Sequence, residues 1–171
     1  MTVEFDLQHA PGQLPAEASG DREAWAAYDP ARQLELIEHC YHRLHLAESV
    51  ELSIAVVDEQ EMARLHVRWM DLPGPTDVLS FPMDELEAGT PERPTEGVLG
   101  DIVLCPPVAA RQAADAGHTT EDEFLLLTVH GILHLLGHDH AEEDERQRMF
   151  SLQRELLGSF LGREPPTETM R

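Results

Sequence analysis

Apolar residues recur along this chain with two different periods, and the switches between them mark out its elements. Val3 to His9 alternates as a strand does, after which Ala10 to Pro30, rich in Pro, Gly and small polar residues, reads as a loop. Over Ala31 to Ala47 the residues Leu34, Ile37, Tyr41 and Leu44 recur at helical spacing, and Val50 to Val57 returns to alternation. Asp58 and Glu61 form a capping-box pair that opens a short helix through Met62, Leu65 and Trp69, with Arg68 near its end. Thr76 to Phe81 predicts a strand. Asp84 to Gly97, with several prolines and acids, has the composition of a mobile flap. Val98 to Cys105 predicts another strand, followed by a helix entered through Pro106 and Pro107 and closed by Gly117. Thr120 and Glu123 make a second capping box ahead of Phe124 to Leu136, so apolar a helix that it must be buried. A last amphipathic helix, Glu143 to Phe160, carries Met149, Leu152, Leu156 and Phe160 on one stripe, and 162–171 reads as a frayed tail. Strands and helices do not alternate regularly. That order predicts an α+β domain, a small mixed sheet of about four strands packed with about five helices.

Composition narrows the class. A chain of 171 residues that is 42% hydrophobic suits one compact domain, here 1–171. No basic N-terminal region precedes an apolar run and no stretch approaches the length of a membrane span, so the expectation is a cytoplasmic protein without a membrane partner. Cys40 and Cys105 sit in apolar segments and read as buried, reduced thiols. The formal net charge is −21, from 33 acidic against 12 basic residues, every one of the latter arginine. Such a field opposes phosphate, because affinity for nucleic acid usually rests on cationic contacts that release counterions. DNA is therefore not an expected partner, and an RNA substrate implies another component that helps to deliver it.

The candidate chemistry lies in eleven residues, His130-Gly-Ile-Leu-His134-Leu-Leu-Gly137-His138-Asp139-His140. Residues four apart share a helix face, so His130 and His134 can offer two imidazoles to one ion. Gly137 lets the chain leave the helix and bring His140 back as a third ligand. Three neutral imidazoles leave one position open, the pattern of a catalytic zinc site, although imidazole also suits other divalent metals. The spacing equals that of the zinc-peptidase motif H-E-x-x-H-x-x-G-x-x-H, with Gly131 where the glutamate base would stand. A peptidase would need another base. His138 reads as solvent-facing or supporting, and His39, His42 and His45, three apart on one helix, as exposed or packing residues.

Joined to two further segments, the histidine run resembles the YbeY family of bacterial endoribonucleases and rRNA maturation factors. The family signature H-G-x-L-H-L-x-G-x-D-H is met at every fixed position from His130 to His140. A second segment reads Pro75-Thr76-Asp77-Val78-Leu79-Ser80-Phe81-Pro82, preceded by Arg68, and a third reads Gly100-Asp101-Ile102. The resemblance covers the chain from about residue 50 onward; where the family often has Leu-Asn, this chain has Leu65-His66. It implies a zincin-like fold, one Zn2+ on His130, His134 and His140, and His130 and Arg68 as catalytic residues. It also implies Asp139, Asp77 and Ser80 as supporting or cleft residues. The implied activity is cleavage of single-stranded RNA in small-subunit rRNA maturation and ribosome quality control, with the ribosome or ribosomal proteins as partners. Two rivals stay open at this point: a non-catalytic assembly factor that uses zinc for structure, and a metallopeptidase.

Overall fold

The computed structural model describes residues 2–9, 14, 21–70, 76–139 and 141–168. Its elements run β1 (Thr2–Leu7), α1 (Arg22–Ala26), α2 (Pro30–Arg43), β2 (Glu51–Val56), α3 (Glu59–Met70), β3 (Val78–Pro82), β4 (Val98–Leu104), α4 (Pro106–Ala116), α5 (Thr120–Leu135) and α6 (Glu143–Leu161). The strands form one mixed sheet in the order β1-β2-β4-β3, in which β1, β2 and β4 are parallel and β3 is antiparallel to β4. An α+β domain with a small mixed sheet is what the patterning predicts. Among the described residues, no helix is long and apolar enough to cross a membrane.

Alternation along the strands decides which helix covers which face. Leu52, Ile54 and Val56 of β2 and Ile102 and Leu104 of β4 point into a large core with Phe124, Val129, Ile132 and Leu133 of α5, Leu36 and Ile37 of α2, and Met149 and Leu156 of α6. Val103 of β4 and Leu79 of β3 point the other way, into a smaller cluster with Met62 of α3 and, at its margin, Leu65 and Phe81. Helices α5 and α3 therefore lie on opposite faces of the sheet. Burial on every side of α5 explains the lack of a polar face in its sequence: twelve of its residues are buried.

Several boundaries differ from the pattern, each for a local reason. The span read as a loop contains α1, which holds Trp25 at 1% exposure, edge-on to His9. One short helix with a single aromatic anchor has no repeat to betray it. Helix α2 stops at Arg43 because His45 takes a positive φ of 54° and Leu46 turns inward to bridge Thr95. At α3 only half of the expected capping box forms: Asp58 Oδ1 accepts the Glu61 N–H at 2.9 Å, while the Asp58 N–H donates to Gln8 and Glu61 pairs with Arg64. At α5 the cap is Thr119 rather than Thr120, its hydroxyl accepting the Asp122 N–H at 3.1 Å. Glu123 is fully buried against His118.

The expected flap between β3 and β4 is fastened instead. Asp84 accepts the Val98 N–H, Gly89 donates to Leu44, Thr95 donates to His45 and Ala47 donates back to Thr95. The C-terminal segment is also tied down as far as it is described, through Arg163 to Asp122 and Arg154 to Glu168.

Candidate functional site

Helix α5 carries His130 in its buried middle and His134 in its last turn, where that side chain is half-buried. Their rings stand 5.8 Å apart, centroid to centroid, at 79°. Two imidazoles sharing one ion through a nitrogen at about 2 Å put their centroids roughly 5 Å apart, so this pair needs only a small side-chain adjustment to converge. His130 Nδ1 lies 3.0 Å from Gln153 Oε1 on α6. A carbonyl oxygen can only accept, so this contact is a hydrogen bond when the ring proton sits on Nδ1, the tautomer that leaves the lone pair on Nε2. That donor set suits a metal ion. Among the described residues no three His, Cys, Asp or Glu side chains come together as a ligand group, and His140, the expected third ligand, lies outside the described residues.

The helix ends as its glycine predicts. Gly137 adopts φ 93°, the Gly137 N–H donates to His134 and the His138 N–H to Leu133, closing the last turn. His138 follows, half-buried; burial, and secondarily Arg148, hold its imidazole below its ordinary pKa. Asp139 is exposed beyond it.

Gly131 has a different reason. A Cβ built there meets Ile102 Cδ1 at 2.9 Å, Cγ1 at 3.1 Å and Cγ2 at 3.3 Å. Helix α5 sits so close to β4 at this point that a side chain beside His130 needs the Ile102 side chain to yield. The missing peptidase glutamate is thus opposed by packing as well as absent from the sequence.

The remaining expected residues divide. Ser80 pairs with Ile102 across β3 and β4 and shares a strand face with Val78, which packs in the core with α5; this places Ser80 on the histidine side of the sheet. Asp77 is not in a cleft. It has no exposed surface, its Oδ1 accepts the Val78 N–H at 2.8 Å and the Thr76 hydroxyl at 3.2 Å, and its carbonyl accepts the Cys105 N–H. Its backbone ties the start of β3 to the end of β4, while its Oδ1 bonds stay within its own turn. Arg68 ends up across the sheet from the histidines, exposed on α3 with its guanidinium 5.3 Å from the Trp69 ring centroid. Trp69 in turn meets Phe81 edge-on at 6.1 Å. Consecutive residues Ile102 and Val103 mark the two faces, and α3 packs on the second.

Gln153 was not anticipated. The visible signal was a polar residue on the buried side of α6, between Met149 and Leu156. Of the three histidines on α2 and its end, His39 bonds Ser159 at 2.8 Å and leans on Phe160, His42 is exposed, and the His45 backbone carbonyl accepts the Thr95 N–H. Cys40 and Cys105 are buried free thiols, as expected.

On the sheet face that α3 covers only in part lies a cleft of about 670 Å³. Its lining combines carboxylates, Glu4, Asp6 and Asp101, with Trp69, Phe81 and Met83.

Comparison with known proteins matches residues 23–161 to the family model for Endoribonuclease YbeY. A Micrococcus luteus protein with the name Endoribonuclease YbeY is 58% identical over 137 residues, 80% of this chain and 87% of its own length. One from Paenarthrobacter aurescens with the same name is 56% identical over 152 residues, 88% of this chain and 97% of its own. The solution structure of TM1509 from Thermotoga maritima superposes with a TM-score of 0.58 at 25% identity, covering 94% of this chain and 90% of that one.

Proposed function

The chain belongs to the YbeY endoribonuclease family, and from that premise we propose that it is a zinc-dependent endoribonuclease acting on single-stranded RNA. Its place of action is the cytoplasm, in 3′-end maturation of small-subunit rRNA and in ribosome quality control. The observation that carries the metal reading is the His130–His134 pair, two imidazoles one turn apart, the first with its Nδ1 3.0 Å from Gln153 Oε1.

His130 and His134 would hold the ion, with His140 as the third ligand from beyond the helix end. When bound, a divalent ion supplies Lewis acidity next to a scissile phosphate. The chain supplies the rest. Buried α5 keeps the two rings in register, Gly131 lets the helix seat against β4, and Ser80 offers a hydroxyl on the same side of the sheet. Glycine at position 131 offers no base and Ile102 crowds the space where one would project, which disfavours peptide hydrolysis. Arg68, across the sheet, serves RNA binding by holding a backbone phosphate at a distance from the reacting one.

A protein partner of basic character fits the remaining surface. The net charge of −21 and the cleft floored by Glu4, Asp6 and Asp101 repel a phosphate backbone and attract a basic, partly apolar segment, such as a ribosomal protein offers. Association with small ribosomal subunits is then expected to weaken as salt rises; association that strengthens with salt would count against the electrostatic part of this reading.

The central test is cleavage of a labelled single-stranded rRNA fragment by highly purified protein and by His134→Ala, with zinc quantified in both preparations. Cleavage and zinc are expected to disappear together while the circular dichroism spectrum is kept. Cleavage retained by a folded, zinc-free variant would overturn the proposal, and zinc bound without cleavage would favour a non-catalytic assembly factor.

A further inference from the structure

We infer that Gln153 is a positioning residue: it selects the tautomer of His130 and so decides which ring nitrogen faces the site. The inference deepens the metal reading above but concerns the ring itself. His130 is 4% exposed and Gln153 1%, so water does not compete for the bond between them. The contact is 3.0 Å and joins α5 to α6 across 23 residues of sequence. Free imidazole favours neither arrangement strongly, and a buried ring takes the tautomer that its fixed neighbour dictates. Here the neighbour is the oxygen of an amide, an acceptor that pulls the proton to Nδ1 and leaves Nε2 to accept or to ligate.

The neutrality of the partner matters as well. A carboxylate in this place would fix the same tautomer but add a full negative charge behind the ring, increasing its basicity. Gln153 orients His130 without that charge, in a protein that already carries an excess of 21 negative charges. Its own position is secured by the stripe on which it sits, with Met149 at 0%, Leu156 at 2% and Leu157 at 0% exposure. The chain thus uses α6, which bears none of the expected ligands, to aim a ligand on α5.

The test is nitrogen-15 NMR of ring-labelled histidine in the metal-free full chain, wild type, Gln153→Met and Gln153→Glu, together with zinc titration of each. The wild-type His130 ring should be the Nδ1–H tautomer. Gln153→Met, close in size and without an acceptor, should release that preference and weaken zinc binding by about 10–100-fold, while Gln153→Glu should keep Nδ1–H. A wild-type ring protonated on Nε2, or a tautomer unchanged in Gln153→Met, overturns the inference. The wild-type spectrum alone decides the first point even if a variant fails to fold. Should wild type bind no zinc while its tautomer follows Gln153, the metal reading falls and this inference stands; zinc binding of equal strength with an unmoved tautomer gives the reverse.

Discussion

Adding one methyl group at position 131 tests the packing that seats the candidate site. In Gly131→Ala the new Cβ faces three atoms of Ile102 at 2.9, 3.1 and 3.3 Å. Only Cδ1 is the far end of the chain, and Ile102 is wholly buried, so the contact cannot be relieved by a free swing of the side chain. Overpacking of this kind costs about 1–3 kcal/mol. Alanine recovers about 1 kcal/mol over glycine inside a helix. The net expectation is a loss of about 1 kcal/mol, within a range of about 0–2, measured as a lowered urea midpoint at constant m value. Ile102→Ala removes all three opposing atoms and by itself costs about 2–5 kcal/mol. In that background Gly131→Ala should change sign and stabilise by up to about 1 kcal/mol, giving a coupling of about 1–3 kcal/mol in the double-mutant cycle. Equal effects of Gly131→Ala in the two backgrounds would refute the contact, and with it the argument that Ile102 crowds a side chain beside His130. Gly131→Glu, which restores the peptidase pattern on paper, adds a longer chain and a buried charge and should lose several kcal/mol.

Three further outcomes follow from the geometry. Arg68→Ala, on the helix that packs against the other face of the sheet, should raise KM for RNA about fivefold, equivalent to ~1 kcal/mol of exposed phosphate contact, with kcat kept; a fall in kcat at constant KM would return Arg68 to the reacting centre. Glu123→Ala leaves the part-buried His118 ring without its carboxylate partner at the α4–α5 turn and should cost about 1–3 kcal/mol in denaturant titrations; no measurable loss would show the pair to be dispensable. Burial pushes the Cys40 thiol up to about 12, so thiol reagents at pH 8 should spare it until the protein unfolds. Because that pKa is raised on folding, its contribution to stability is complete below the ordinary thiol range near 9 and is lost as pH climbs toward 12; rapid native-state labelling would show an open core.

How much of this was legible in the sequence depended on whether a signal repeats. The strands and the long helices announce themselves through periods that extend over many residues, and α4 through prolines at its entry and a glycine at its exit. Helix α1 has one anchoring aromatic and no period, and the cap of α5 shifted by one residue because Thr119 and Thr120 are chemically equivalent as caps. The span 84–97 looked loose by composition, yet its backbone groups find partners on the α2–β2 turn, a long-range choice that no local pattern encodes.

The site shows the same division more sharply. Two imidazoles four residues apart on a helix are a local fact, and they fall together because helical geometry requires it. Which face Arg68 occupies depends instead on strand alternation in β4, since Ile102 meets α5 and Val103 meets the α3 side. Asp77 and Ser80 belong to one segment, but the strand start buries the first against the Val78 N–H and the alternation of β3 leaves the second on the histidine side. Gly131 joins the two levels. In the sequence it marks a base that is missing; in the fold it is the point where α5 meets the Ile102 side chain of β4, so that a larger residue beside His130 depends on what stands at position 102.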